Sequence, residues 1–358
     1  MFEKPDEVIQ ATHVLSGKPL LIWRIVQTIV WLVGLGIFLA LIFFPEIGIH
    51  AFWNVLIPVA PALLVVSTGL WRNICPLAST ALLPAHLQFS FKIKPTAKFQ
   101  GVLNLIAVIA LFLIVPLRHV ILDTSGAATA IVLLIIAVIA FALGLIFDWK
   151  SGWCSGLCPV HPVEKFYGSK PLFTLPNAHC DQCAKCTSPC PDSSIGTHPL
   201  TNKATLSHRL AGAVLIGGFP GFIWGWFHIT DYYGVEGWQH LQSIYGLPFA
   251  ALAVTLSLYF LIKLVLPSLS NSKLISIFAA AAVSCYYWFR LPALFGFGVF
   301  PGDGMLVDLS GVLPYWSPLV SQVITTLFFT WFLVFRKKSE ISWSIRPPYK
   351  LKKQIVVE

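Results

Sequence analysis

The chain has 358 residues, 56% of them hydrophobic and only 11% charged, with a formal net charge of +9. Soluble domains carry about 25% charged residues, so this composition excludes an ordinary water-soluble globule. The positive excess lies in Arg336–Lys353 and in loops between apolar runs, where it sets topology and meets anionic lipid; it does not mark a nucleic-acid surface.

The first residues, Met1-Phe-Glu-Lys-Pro-Asp-Glu7, are acidic, so no cleaved signal is expected. Eight apolar runs follow, over 21–43, 51–70, 100–122, 126–147, 208–227, 246–266, 274–290 and 314–335. Each approaches the ~20 residues that cross a ~30 Å hydrocarbon core. The seventh is the weakest, short before Arg290 and expected to be tilted, broken or partly re-entrant. Of the 24 Lys and Arg, only Arg118 and Arg290 fall on the side that also holds Glu46, Asp123, Asp231, Glu236, Asp303 and Asp308. By the positive-inside rule, both termini and the 148–207 loop face the cytoplasm. The expected fold is an all-α polytopic membrane protein of about eight transmembrane helices. Its parts are a four-helix half (1–147), a cytoplasmic ferredoxin-like iron–sulfur loop between helices four and five (148–207), a second membrane half (208–335) and a basic tail (336–358).

Seven of the eight cysteines fall on predicted cytoplasmic loops or loop edges, where thiols stay reduced. The run Cys180-Asp-Gln-Cys183-Ala-Lys-Cys186-Thr-Ser-Pro-Cys190-Pro191 reads C-x2-C-x2-C-x3-C-P, the bacterial ferredoxin spacing for a [4Fe–4S] cluster. Two-residue gaps let the chain wrap three iron corners of one cube. The fourth cysteine, before proline, serves another cluster in two-cluster ferredoxins. Trp153-Cys154-Ser-Gly-Leu-Cys158-Pro159 supplies a complementary C-x3-C-P after the fourth run, and Cys158 is the expected fourth ligand of the set Cys180, Cys183 and Cys186. The competing account is an all-cysteine zinc site, although zinc seldom uses successive two-residue gaps followed by C-P.

A second centre would draw on Cys75, Cys154 and Cys190. Trp71-Arg-Asn-Ile-Cys75-Pro76 reads as a degenerate copy of the later segment, with Trp71 where Cys154 stands. Each copy follows the second helix of a pair, which suggests an internal repeat. Three thiolates leave several options: a [3Fe–4S] centre, a [4Fe–4S] cluster completed by His161 or Asp192, or no second cluster. Cys285, inside the seventh run, reads as a buried apolar residue.

The paired helix–C-x3-C-P segments followed by the ferredoxin run resemble the membrane polyferredoxins typified by NapH, NosR and RdxA/CcoG, over roughly residues 20–200. The resemblance implies an electron-transfer subunit of the bacterial inner membrane with cytoplasmic [4Fe–4S] clusters. Such a subunit exchanges electrons with quinone, a soluble donor or acceptor, or the other subunits of a redox complex, and is not a self-contained enzyme. An assembly factor that reduces a metal ion for a metalloenzyme is the alternative, and a structural cluster is a third reading. Trp71 departs from the family's pattern, and the last four spans match nothing in it.

No span carries two histidines on one face, so paired ligands for haem are not expected. His50, His119, His228 and His240 fall near the outer side with Asp231, Tyr232, Tyr233, Glu236 and Trp238. They could gather around a metal or quinone, but an interfacial aromatic belt accounts for them as well. The segment Gly217–His228, with Trp224, Trp226 and His228, is the candidate quinone region; close helix packing on small residues explains its glycines equally well. Lys150, Glu164, Lys165, Lys170, Lys185 and Lys203 could form a docking surface for an acidic donor or simply reflect inner-loop charge bias. No phosphate loop, dinucleotide fingerprint or nucleophile elbow is present.

Overall fold

The computed structural model describes residues 17–173, 175, 177–179, 199–201, 204–232, 234–297 and 304–337. These residues form α1 (Lys18–Phe43), α2 (Pro45–Ile49), α3 (Ile57–Ile74), α4 (Pro76–His86), α5 (Ala97–Ile114), α6 (Gly126–Ile146) and α7 (Val160–Tyr167). After these come α8 (Leu206–Ala213), α9 (Phe219–Trp226), α10 (Leu241–Val265), α11 (Asn271–Leu294) and α12 (Ser317–Thr330). Short π- and 3-10-helical turns join several of them, and no β-strand forms among the described residues.

Eight stretches are long and apolar enough to cross a membrane: Lys18–Phe43, Pro45–His86, Ala97–His119, Gly126–Ile146, Leu206–Trp226, Glu236–Val265, Asn271–Leu294 and Ser317–Phe335. An all-helical, multi-pass architecture follows. The second stretch is longer than expected, because α4 occupies much of what reads as the 71–99 loop. Pro76 can open α4, since the first helical position needs no N–H. Ala78, Ala81 and Leu82 are buried, and α4 packs on α6.

Two stretches are interior. In Leu206–Trp226 and Asn271–Leu294, 61% and 67% of the apolar window is buried, against 11–39% for the other six. The seventh span is neither short nor broken: α11 runs through Arg290 to Leu294. Its polar character reflects contact with protein instead of lipid, where small and hydrogen-bonding residues serve packing. Tyr287 shows how. Its hydroxyl donates to Pro58 O (2.6 Å) and accepts from Ala62 N (3.0 Å), filling a gap in the ladder of α3 beside Pro61.

α3 breaks again at Ser67 (φ −150°, ψ 72°). The N–H of Leu172 donates to Val66 O at 2.7 Å, so a segment following the fourth span supplies the missing partner; a broken membrane helix is tolerated where protein does this. α7 is likewise no outlying loop helix. Val163, Phe166 and Tyr167 join the main core with Leu64, Phe219 and Ile275. The part of the 148–207 segment nearest the membrane is thus built into the end of the bundle.

The two cations of the opposite side are interior as well. Arg118 pairs with Asp123 (3.7 Å) and lies over the rings of Trp53 and Trp226. Arg290 donates to Asn54 Oδ1 (2.7 Å) and Trp53 O (3.2 Å).

Candidate metal centre

Cys180, Cys183, Cys186 and Cys190, with Lys185, Asp192 and Lys203, lie outside the described residues. Cys75, Cys154, Cys158 and Cys285 are described, and none forms a disulfide. Cys285 is buried within the main core.

Cys75 joins α3 to α4, and Cys158 joins a π-helical turn, Trp153–Leu157, to α7. Proline disfavours helical backbone at the residue before it. Both cysteines accordingly take the same extended form, φ −56°, ψ 118° at Cys75 and φ −65°, ψ 117° at Cys158. The amides of Leu77 and Ala78 turn towards the Cys75 sulfur, and those of Val160 and His161 towards the Cys158 sulfur. Helix N-termini of this kind favour thiolate and metal ligation.

The two turns differ by one residue. Cys75 N–H donates to Trp71 O, four residues back, at 3.0 Å; Cys158 N–H donates to Trp153 O, five back, at 2.9 Å. Trp71 therefore corresponds to Trp153, and not to Cys154 as spacing alone suggests. The extra residue of the π-turn is what introduces Cys154. Such insertions often mark functional sites.

Three supports hold the turns side by side. At Gly144 of α6, any side chain would run into the carbonyl oxygen of Ala81 in α4, so glycine is what permits this approach. Ala81, Ala140 and Trp153 form a small core on which Cys154, Leu157 and Cys158 pack. On the far side, α5 presents Gln100, whose amide donates to Ser155 Oγ (3.2 Å), and Asn104, whose amide reaches the carbonyls of Ser155 and Gly156 at 3.0 Å. Gln100 and Asn104 are one helical turn apart in an otherwise apolar span. That polar i, i+4 pair is the sequence signal for the face that holds the π-turn.

Cys75, Cys154 and Cys158 line a single small cavity of about 40 Å³. Trp71, Arg72 and Ala78 complete its wall from the first turn; Lys150, Trp153, Val160, His161 and Glu164 do so from the second. Glu164 is buried and accepts from Thr68 Oγ1 (3.0 Å) and Lys165 Nζ (3.3 Å), with Arg72 Nε at 3.7 Å. This network joins the two Cys-Pro segments. His161 also borders a neighbouring cavity of about 30 Å³ lined by Asn104, Leu200 and His208. Burial pushes the Cys158 thiol up to about 12, the Cys75 sulfur adds to the shift, and the His161 and Val160 amides oppose it. The thiol thus stays protonated at neutral pH unless a cation joins it.

No group of three or more His, Cys, Asp or Glu converges on a point where one ion could sit, among the described residues. A cubane makes a different demand, because its four iron corners need thiolates set apart around a void. Three thiols around one cavity, with amides aimed at two of them, fit that demand. The chain leading into the run is anchored here too: Ala178 N–H donates to Asn73 Oδ1 at 3.0 Å. That bond places the approach to Cys180 next to the residue pair Asn73 and Cys75, and Gln27 of α1 holds Asn73 O at 2.9 Å.

The candidate quinone residues lie elsewhere. α5 carries Gln100 at the thiol end and leads to His119, about 28 Å further on at 1.5 Å per residue. His119 packs on Trp226, which is buried and stands beside Arg118. Trp224 and His228 are exposed and stack on each other, rings 3.9 Å apart. The three residues therefore do not share one pocket. The four histidines of this end do not gather either: His119 pairs with Asp231, His240 stacks on Tyr232, and His50 contacts Asn54.

Comparison with known proteins identifies no relative: no family model, curated protein or solved structure matches the chain.

Proposed function

We propose that this chain is a membrane-bound electron-transfer subunit that holds one or two cubane iron–sulfur clusters at one end of its helical bundle. The observation that carries the reading is the convergence of Cys75, Cys154 and Cys158 on one cavity, with the approach to the Cys180–Cys190 ferredoxin run tied down beside it. When bound, a cluster would take up and release single electrons. The protein's part is to hold the sulfurs, turn backbone amides towards them, and set cationic heads in the wall. Arg72 and Lys150 fill that last role, and Glu164 anchors Arg72. Hydrogen bonds and charges of this kind raise a cluster's potential.

Lys150, Lys165, Lys170 and Arg336 share the thiol end; the Lys170 ammonium donates to Val334 O, and Arg336 grips the carbonyls of Lys170 and Pro171. Under the positive-inside rule this end faces the cytoplasm of a bacterial inner membrane. A quinone or a soluble partner would exchange electrons here, since the Trp224–His228 aromatic pair lies at the other end of the bundle. Purified anaerobically, the protein should show a cluster that a quinol or a low-potential soluble donor reduces, and it should copurify in fixed ratio with a partner oxidoreductase. A cluster inert to every reductant would leave only a structural role. A reducible cluster in a chain absent from every mature complex would favour the assembly-factor alternative.

A further inference from the structure

We infer that Cys75, Cys154 and Cys158 serve one and the same cluster, set into the end of the helical bundle, and that Cys158 does not complete the set begun by Cys180, Cys183 and Cys186. The inference rests on the iron–sulfur reading and reverses the pairing that ferredoxin spacing suggests.

Four observations carry it. Both Cys-Pro segments line the cavity, through residues within 71–78 and 150–164. The two turns share their backbone form, with paired tryptophans, Trp71 and Trp153, beside them. The approach of α4 to α6 at Gly144 holds the two turns side by side, and Cys154 and Cys158 pack on the small core of Ala81, Ala140 and Trp153 beside it. Arg72 and Lys150 also set two cationic heads in the same wall, opposite in sign to the thiolate ligands of a cluster.

A site of this kind differs from a ferredoxin loop in what it needs to form. Its sulfurs are positioned by membrane helices before any metal arrives, whereas a ferredoxin run gains its shape as it wraps the cube. Three thiolates leave one iron corner to a different kind of ligand, so this cluster should be the one that loses an iron more readily on oxidation.

The test uses the full-length chain in detergent, purified anaerobically, with Cys75→Ser, Cys154→Ser, Cys158→Ser and, as reference for the run, Cys183→Ser. Iron per chain and reduced-state EPR are measured for each. The first three variants should each remove the same signal and about half the iron, and should leave the signal that Cys183→Ser removes. If Cys158→Ser removes the Cys183-dependent signal while Cys75→Ser spares it, the inference is overturned. A second measurement covers variants that fold poorly. Iron-free wild-type chain is treated with a short bifunctional thiol reagent and the bridges are mapped by mass spectrometry. Bridges joining Cys158 to Cys75 or Cys154 support the set; bridges from Cys158 to Cys180, Cys183 or Cys186 contradict it. Absence of iron from the wild-type protein would instead sink the iron–sulfur reading itself.

Discussion

The two Cys-Pro turns share a backbone form and stand in different structural settings. Cys75-Pro76 closes a long, twice-interrupted membrane helix and opens another helix of the bundle. Cys158-Pro159 closes a five-residue π-turn and opens the short, buried α7. The backbone at the cysteine is nearly the same in both. One additional residue in the second turn is enough to add a thiol, Cys154. The difference teaches that a thiol can be added to a turn by changing its hydrogen-bond register while the helix-capping geometry of the cysteine stays fixed.

The comparison can be broken most severely at Glu164, which ties the turns together. Glu164→Gln would leave Arg72 and Lys165 beside a neutral amide in a buried setting. Removing one partner of a buried ion pair costs ~3–5 kcal/mol, so thermal unfolding in detergent should show a large loss and the yield of folded protein should fall. If stability is unchanged, the network is not what joins the two turns. Gly144→Val attacks the spacing instead. Its side chain would force α4 away from α6, at ~1–3 kcal/mol for overpacking, and iron retention should fall with stability.

Gln100→Leu separates the turns from each other. It removes donation to Ser155 Oγ in the second turn and touches nothing in the first. A loss of ~1 kcal/mol is expected, visible as a modest drop in melting temperature and faster exchange of amides in the 153–157 turn, with those of 71–78 unaffected. The smallest effect belongs to Lys150→Met, which keeps the shape of the wall and removes one cation. The midpoint potential of the Cys158-dependent EPR signal should fall; an unchanged potential would mean that the Lys150 charge does not reach the cluster.

Much of the fold was legible because its signal is compositional. The eight spans follow from apolar runs, and the placement of Arg118 and Arg290 apart from the other cations follows from charge. What escaped is what tertiary contact decides. α11 reads as a weak span because Ser276, Ser284, Tyr287 and Arg290 dilute its hydrophobicity, yet these residues are tolerated because protein surrounds them. α7 reads as loop because Glu164 and Lys165 sit in it; mutual pairing lets both be buried. At the candidate site, the cysteine repeat was visible and its partners were not. The approach of Gly144 to Ala81 decides which sulfurs share a cavity, and no spacing rule reports a contact between helices. The equivalence of Trp71 with Trp153 depends on a hydrogen bond that reaches back five residues instead of four, which residue counting cannot reveal.

Iron and acid-labile sulfide per chain, measured together with zinc on anaerobically purified full-length protein, test the central claim most directly. Two clusters predict about seven or eight irons with matching sulfide, and about four would leave room for one cluster only. Zinc in the absence of iron and sulfide would contradict the account outright, because the same thiols would then be a structural zinc site with no electron to carry.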